Sequence, residues 1–288
     1  MEIPGGGRIP FFKMTGSGND FILIDNRSQR IPAELQSVLA AKACRSKLSV
    51  GADGLILIEN DSEVDFRWRF YNADGSEAEM CGNGARCAAR FAFLSGIVSR
   101  GEMAFRTLAG VIEAQVGGER VKIRTTRPTA LKTGFALDAS GRSFVLDFLN
   151  TGVPHVVHFL ASADELETAD VGEWGRALRF HGHFQPAGTN VNFAHVRDAH
   201  HVTLRTYERG VEAETLACGT GSIAAALAAG ARGWVESPVD VLTRSGESLT
   251  VYFTFSRTDT DAPFDDVFLE GDARVVYQAE LWDETLRD

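Results

Sequence analysis

A chain of 288 residues has room for one large domain or two of ordinary size. With 44% hydrophobic and 24% charged residues it has the profile of a soluble globular protein with a real core, and no apolar run approaches the roughly 20 residues that span a bilayer. A net charge of −10 offers no electrostatic footprint for nucleic acid or an anionic membrane, so neither is expected as a partner.

The N-terminal MEIPGGGRIP lacks the apolar region and small-residue cleavage site of a secretory signal. It reads as a flexible tail over residues 1–10, ahead of a fold that starts near Phe11, and the protein is expected in the cytoplasm. In chain order, FILID, GLILIE, DFRWRFY, RVKIRTT, SFVLDFL, HVVHF, NVNFAHV, HVTLRTY, LTVYFTF and RVVYQAEL read as strands. They are short, rich in β-branched and aromatic residues, and bounded by Gly, Asp, Asn or Pro. Helical signals are few: PAELQSVLAAKACR at 32–45, and two apolar segments that each follow Gly-x-Gly. Ser222 to Ala231 carries no charge, and Ala85 to Leu94 carries only Arg86 and Arg90. Helices so nearly apolar all round are expected to be buried.

The two halves follow one plan. RFYNADGSEAEMC (69–81) and RTYERGVEAETLAC (205–218) both run Arg-x-Tyr, Gly-x-Glu-Ala-Glu, Cys; upstream, TGSGNDFIL (15–23) overlays TGVPHVVHF (151–159). Four matches in the same order, each about half the chain apart, indicate duplication. The expected fold is α+β, with two pseudo-symmetric strand-rich domains, each a β-barrel-like sheet around a central helix. The expected boundary lies in the polar stretch around Thr125 to Thr133, giving 1–128 with Cys81 and 129–288 with Cys218. The last strand has the option of returning to the first domain.

Each apolar helix begins just after a cysteine. Amides entering a helix lack intrahelical partners and the dipole makes that end positive, so it suits an anion such as a carboxylate. Gly82, Gly84, Gly219 and Gly221 would permit positive φ and close backbone approach. A thiol there is expected to be the better thiolate, because a pKa near ~8.5 falls at a helix N-terminus. With the carboxylate of an amino acid held between two such ends, one thiolate removes the α-hydrogen and the other thiol delivers a proton to the opposite face. The stereocentre inverts, and neither metal nor other cofactor is needed. A lone cysteine is usually a small core residue, the reading given to Cys44 and Cys87. His181 and His183 lack a convincing metal-ligand set.

With these residues in hand, the chain resembles the diaminopimelate epimerase family from about Phe11 onward. The resemblance rests on FKMTGSGNDFILID (12–25), NADGSEAEMCGNGARC (72–87), GTNVNF (188–193) and YERGVEAETLACGTGS (207–222). It implies a pyridoxal-phosphate-independent epimerase that converts LL-diaminopimelate to the meso isomer, with the site in the cleft between two related domains. It implies Cys81 and Cys218 as the catalytic thiols, and Gly82, Asn83, Gly219 and Thr220 as the backbone cradle for the reacting carboxylate. Asn19, Asn72, Asn190, Glu208 and Arg209 match substrate contacts, Arg209 being suited to the distal carboxylate. His155 and Glu208 match residues that tune or orient the thiols, a protonated His155 and an ionised Glu208 moving a thiol pKa in opposite directions. It also implies a small-molecule substrate and a homodimer.

Plainer readings stand beside these. Asn19, Asn72 and Asn190 could be turn residues; Arg209 could pair on the surface with Glu212 or Glu214; His155 could be a satisfied core histidine. Val153 and Gly54 stand where some members carry polar contacts. Racemases of the histidine or proline type are alternative readings within the superfamily. A thiol redox protein that joins Cys81 to Cys218 is one outside it.

Overall fold

The computed structural model describes residues 8–256 and 263–286. The strands are β1 (Ile9–Gly16), β2 (Asn19–Asp25), β3 (Gly54–Glu59), β4 (Phe66–Asn72), β5 (Glu102–Thr107), β6 (Gly110–Gly117), β7 (Arg120–Arg124), β8 (Thr129–Ala139), β9 (Arg142–Asn150), β10 (Pro154–Phe159), β11 (Asn190–Asp198), β12 (His201–Glu208), β13 (Ala213–Thr215), β14 (Val239–Leu242), β15 (Ser248–Phe255), β16 (Phe264–Asp272) and β17 (Arg274–Leu281). The α-helices are α1 (Ala33–Ala43), α2 (Gly82–Leu94), α3 (Ala163–Thr168), α4 (Val171–Arg179) and α5 (Gly219–Ala231). Among the described residues, no helix is long and apolar enough to cross a membrane.

The chain forms two compact units. It leaves the first after Ile123, and Arg124–Glu270 make the second. From Gly271 it rejoins the first, where β17 pairs antiparallel with β1, Ile9 opposite Leu281. Residues 125–128 of the expected boundary stretch form a short connection, after which Thr129 opens β8, which pairs with β9 in the second unit. Nearly every β8 side chain is exposed or half-buried, so no apolar alternation marks it.

Within each unit the pairing runs alike. In the first, β17–β1 and β1–β2 are antiparallel, β2–β3 parallel, β3–β4 antiparallel, β4–β5 parallel, and β5–β6 and β6–β7 antiparallel. In the second, β8–β9–β10 is antiparallel, β10–β11 parallel, β11–β12 antiparallel, β12–β14 parallel, and β14–β15–β16 antiparallel. The fold is α+β, strand-rich and duplicated. Each parallel step needs a crossover, and each is made by helix: α1 and α2 in one unit, α3 with α4 and then α5 in the other.

Two crossovers on opposite faces explain the unbroken apolar runs of the central strands. In FILI of β2 and LILI of β3, every side chain is buried, half against each face. Ile22, Ile24, Leu55 and Leu57 pack with Leu39, Ala40 and Ala43 of α1, while α2 meets the sheet through β1, β2, β3 and β6. In the second unit Val156, Val191, Phe193 and Tyr207 pack with Leu166, Val171 and Leu178 of α3 and α4. By strand alternation, His155, Asn190, Asn192, Thr206 and Glu208 belong to the other face, that of α5.

Residues 1–7 of the expected tail lie outside the described residues. Its last three do not behave as a tail. Ile9 is buried beside Phe11 in the first core, Pro10 lies within β1, and Arg8 stacks over Trp282, 4.0 Å from the ring centroid.

Candidate active site

Cys81 and Cys218 occupy the same structural position. Each is the N-cap of a 13-residue helix, with extended backbone (φ −144°, ψ 118° and φ −131°, ψ 109°). Each carbonyl accepts the first helical hydrogen bond, from Ala85 N at 2.8 Å and from Ser222 N at 2.9 Å. The three amides in between, at 82–84 and at 219–221, therefore have no partner inside their helix.

The glycines act through space and not through φ. None of Gly82, Gly84, Gly219 and Gly221 has positive φ, contrary to expectation, because all four are already in helix. Instead, a methyl group on Gly221 would lie 2.4 Å from Asn192 Oδ1, and one on Gly219 3.0 Å from Leu269. Gly82 is the roomy exception, its nearest neighbour being Ile123 at 3.9 Å.

At Cys218 the amides of Thr220 and Gly221 and the Thr220 hydroxyl, 3.5 Å from Sγ, favour the thiolate. Burial outweighs them, and with the nearby carboxylate of Glu208 it pushes the thiol up to about 11. The expected low thiol pKa is therefore reversed here: at neutral pH Cys218 is a proton donor. Glu208 is itself raised by burial, while the Thr215 hydroxyl works the other way. Cys81 is half-buried. Cys44 and Cys87 are buried and pushed up to about 12, in keeping with core thiols.

His155 is fully buried, and burial, with the charge of Arg209, lowers its pKa to about 3. The imidazole is neutral, so the expected protonated partner for a thiol is replaced by a neutral ring. Its Nδ1 lies 3.0 Å from Asn192 Nδ2.

Asn190 accepts from the Arg209 N–H at 2.8 Å and donates to Pro154 O at 3.1 Å, tying the start of β11 to the end of β12. The surface pairing considered for Arg209 does not occur. Glu212 binds Arg179 and Glu214 binds Arg205, while Arg209 Nη1 donates to Ala187 O at 2.9 Å. Asn72 takes the turn role: it is exposed, and its amide donates to Ser76 Oγ at 3.0 Å across the turn after β4.

Asn19 and Asn83 are joined in a directed chain. Arg86 Nη2 donates to Asn83 Oδ1 at 2.8 Å, Asn83 Nδ2 to Asn19 Oδ1 at 2.8 Å, and Asn19 Nδ2 to Asp53 Oδ2 at 2.9 Å. Arg86 is fully buried on the second turn of α2 and also binds Ser17 Oγ. Gly54 has no room for a side chain: a methyl there would lie 2.6 Å from the Phe70 ring and 2.7 Å from Tyr71 O.

Sequence reasoning passed over Asp53, Arg86, Asn192, Thr206 and Thr215. Asn192 carried a signal, since in NVN it stands two residues beyond Asn190 and so shares its face. Arg86 carried another, one of only two charges in an otherwise apolar helix.

A duplicated α+β fold with a cysteine capping the central helix of each unit defines the class of protein. Its architecture is shared with a Bacillus anthracis phenazine biosynthesis protein of the PhzF family (TM-score 0.70, 18% identity, 95% of this chain and 99% of that one). It is shared too with a probable proline racemase from Agrobacterium radiobacter K84 (TM-score 0.65, 14% identity, 94% and 92%). The sequence narrows the class: the diaminopimelate epimerase family matches residues 11–131 and 148–256. A diaminopimelate epimerase of Aquifex aeolicus strain VF5 is 45% identical over 287 residues, 96% of this chain and 99% of the relative. One from Archaeoglobus fulgidus is 42% identical over 252 residues, 83% and 88%. The chain belongs to the diaminopimelate epimerase family.

Proposed function

We propose that this enzyme converts LL-diaminopimelate to the meso isomer, in lysine and peptidoglycan precursor synthesis, with Cys81 and Cys218 as the proton-transfer pair. One cysteine, as thiolate, takes the α-hydrogen; its S–H bond forms as the Cα–H bond breaks, and the electron pair stays on carbon. The other, as thiol, returns a proton to the opposite face and becomes the thiolate. The stereocentre inverts, the two sulfurs exchange protonation states, and no electron leaves the system. First-turn amides at 82–83 and 219–220 would hold the reacting carboxylate and spread the carbanion's charge.

The observation that carries this reading is the matched pair of thiol N-caps, of which Cys218 is protonated at neutral pH and ready to act as the acid. Arg209, its backbone held by Asn190 and its guanidinium by Ala187, serves the distal carboxylate. Asn190 keeps one amide hydrogen and one lone pair for substrate. Family membership weighs against the histidine-type, proline-type and thiol redox alternatives. The reading places the enzyme in the cytoplasm, consistent with four free cysteines.

The test is α-hydrogen exchange followed by NMR, with reduced protein and LL-diaminopimelate in D2O. Deuterium at one α-centre together with the meso isomer is expected, both lost in Cys81→Ala and Cys218→Ala. No exchange by folded, reduced protein would overturn the reading.

A further inference from the structure

Behind the first turn of α5 lies a polar group on the buried face of β10, β11 and β12. His155, Asn192 and Thr206 contribute one residue from each strand, all almost completely buried. Their hydrogen bonds admit one arrangement. Asn192 Nδ2 lies 2.8 Å from Val156 O, and a backbone carbonyl only accepts, so the amide nitrogen must be on that side. Thr206 Oγ1 lies 2.9 Å from Asn192 Oδ1, and the hydroxyl donates there.

The second hydrogen of the same NH2 group points to His155 Nδ1 at 3.0 Å. Two donors cannot share that bond, so Nδ1 is the bare acceptor and the ring proton is on Nε2. His155 Nε2 is buried and has no hydrogen-bond partner among the described residues. The group is packed tightly against α5, where Asn192 Oδ1 and Thr206 Oγ1 occupy the space that a side chain at position 221 would need.

We infer that Asn192 is a positioning residue which, anchored by Thr206 and the Val156 carbonyl, locks His155 in the neutral Nε2–H tautomer and so makes it a fixed hydrogen-bond donor in the reaction. A neutral donor at Nε2 can stabilise a carboxylate or thiolate oxygen- or sulfur-centred charge, but it has no lone pair there with which to take a proton. This role rests on the proposed function for its purpose and on unit-internal geometry for its existence.

The test reads the tautomer without substrate, by 15N imidazole NMR at neutral pH, with the His155 signals assigned by their loss in His155→Gln. In the wild-type protein a protonated Nε2 and a bare Nδ1 are expected. Asn192→Asp puts an acceptor beside Nδ1 and should move the proton to it, with kcat/KM for diaminopimelate falling about 100-fold. If that variant does not fold, Thr206→Val serves instead: it removes one of the amide's two anchors, leaving the Val156 carbonyl alone, and should admit a minor Nδ1-protonated population. A wild-type ring protonated at Nδ1, or a folded variant whose tautomer is unchanged, would overturn the inference. A wild-type protein with the expected tautomer but no epimerisation would instead overturn the proposed function alone.

Discussion

The first turns of α2 and α5 share a backbone and a Cys-Gly-x-Gly frame, yet differ at every other side chain. Asn83 corresponds to Thr220 and Ala85 to Ser222, and at the start of the next turn buried Arg86 corresponds to equally buried Ile223. Around Cys81 the result is a chain of amides directed from Arg86 to Asp53; around Cys218 it is a hydroxyl at the sulfur, with the Asn192 and Thr206 side chains against Gly221. Duplication supplies two equivalent positions for sulfur, and divergence of their neighbours gives the two thiols different surroundings.

The largest expected effect tests the equivalence itself. Cys81→Ala and Cys218→Ala should each lower epimerisation by about 10³-fold or more, as loss of an acid–base group does, measured by isomer conversion. One variant retaining near-normal turnover would break the symmetry of roles.

The second test sets Arg205 against Arg69, which hold corresponding places on β12 and β4. Arg205 is bidentate to Glu214 at 2.7 and 2.8 Å and donates to the carbonyls of Leu166, Glu167 and Ala169, closing the C-terminal end of α3. Arg69 makes a single 2.8 Å bond to Glu77 at a more exposed site. Arg205→Ala should lower unfolding free energy by about 3 kcal/mol, and Arg69→Ala by less than about 1 kcal/mol, both from urea denaturation.

A smaller contrast concerns the glycines. Gly221→Ala, with 2.4 Å of clearance to Asn192, should lower stability by about 1–3 kcal/mol. Gly84→Ala, its counterpart on α2, meets nothing closer than the tip of the Ile56 side chain at 3.3 Å and should cost less than about 1 kcal/mol. Equal losses would mean that the two frames are packed alike after all.

The most gradual effect is on pH. The unfolded chain protonates His155 near 6.5 and the folded chain only near 3, so unfolding takes up a proton between those values. Stability should therefore decline as pH falls from about 6.5 toward 3 and be unaffected by this group above that range. His155→Gln should flatten the decline, as read from urea midpoints across the window.

The legible parts of this molecule were those where burial leaves a pattern. GLILIE and FILID announce β3 and β2 because helices cover both faces, and the charge-free α5 announces its burial. By contrast, β8 is almost wholly solvated and α3 is a short acidic segment, so neither periodicity nor apolar content marks them, while α4 does carry Val171, Gly175 and Leu178 at helical spacing, a signal that sequence reasoning passed over. The thiols were legible because a repeated motif carries them. Their neighbours were less so: Asp53 and Thr206 acquire meaning only when the sheet brings them beside Asn19 and Asn192. Even the internal repeat shifts slightly, for overlaying the two Glu-Ala-Glu segments matches Glu77 with Glu212, whereas pairing matches it with Glu214 through Tyr71 and Tyr207.

The return of β17 to β1 has a consequence for synthesis of the chain on the ribosome. Ile9 pairs with Leu281, so β1 waits for a strand translated long after it. Meanwhile Phe11 and Ile22 emerge early as part of a sheet whose edge strand does not yet exist, exposed to association with other nascent chains. The second unit has no such delay, because its own edge strand, β8, leaves the exit tunnel just ahead of the strand it pairs with. Translation order therefore makes the second unit the earlier to complete, and loss of β17 an injury to the first.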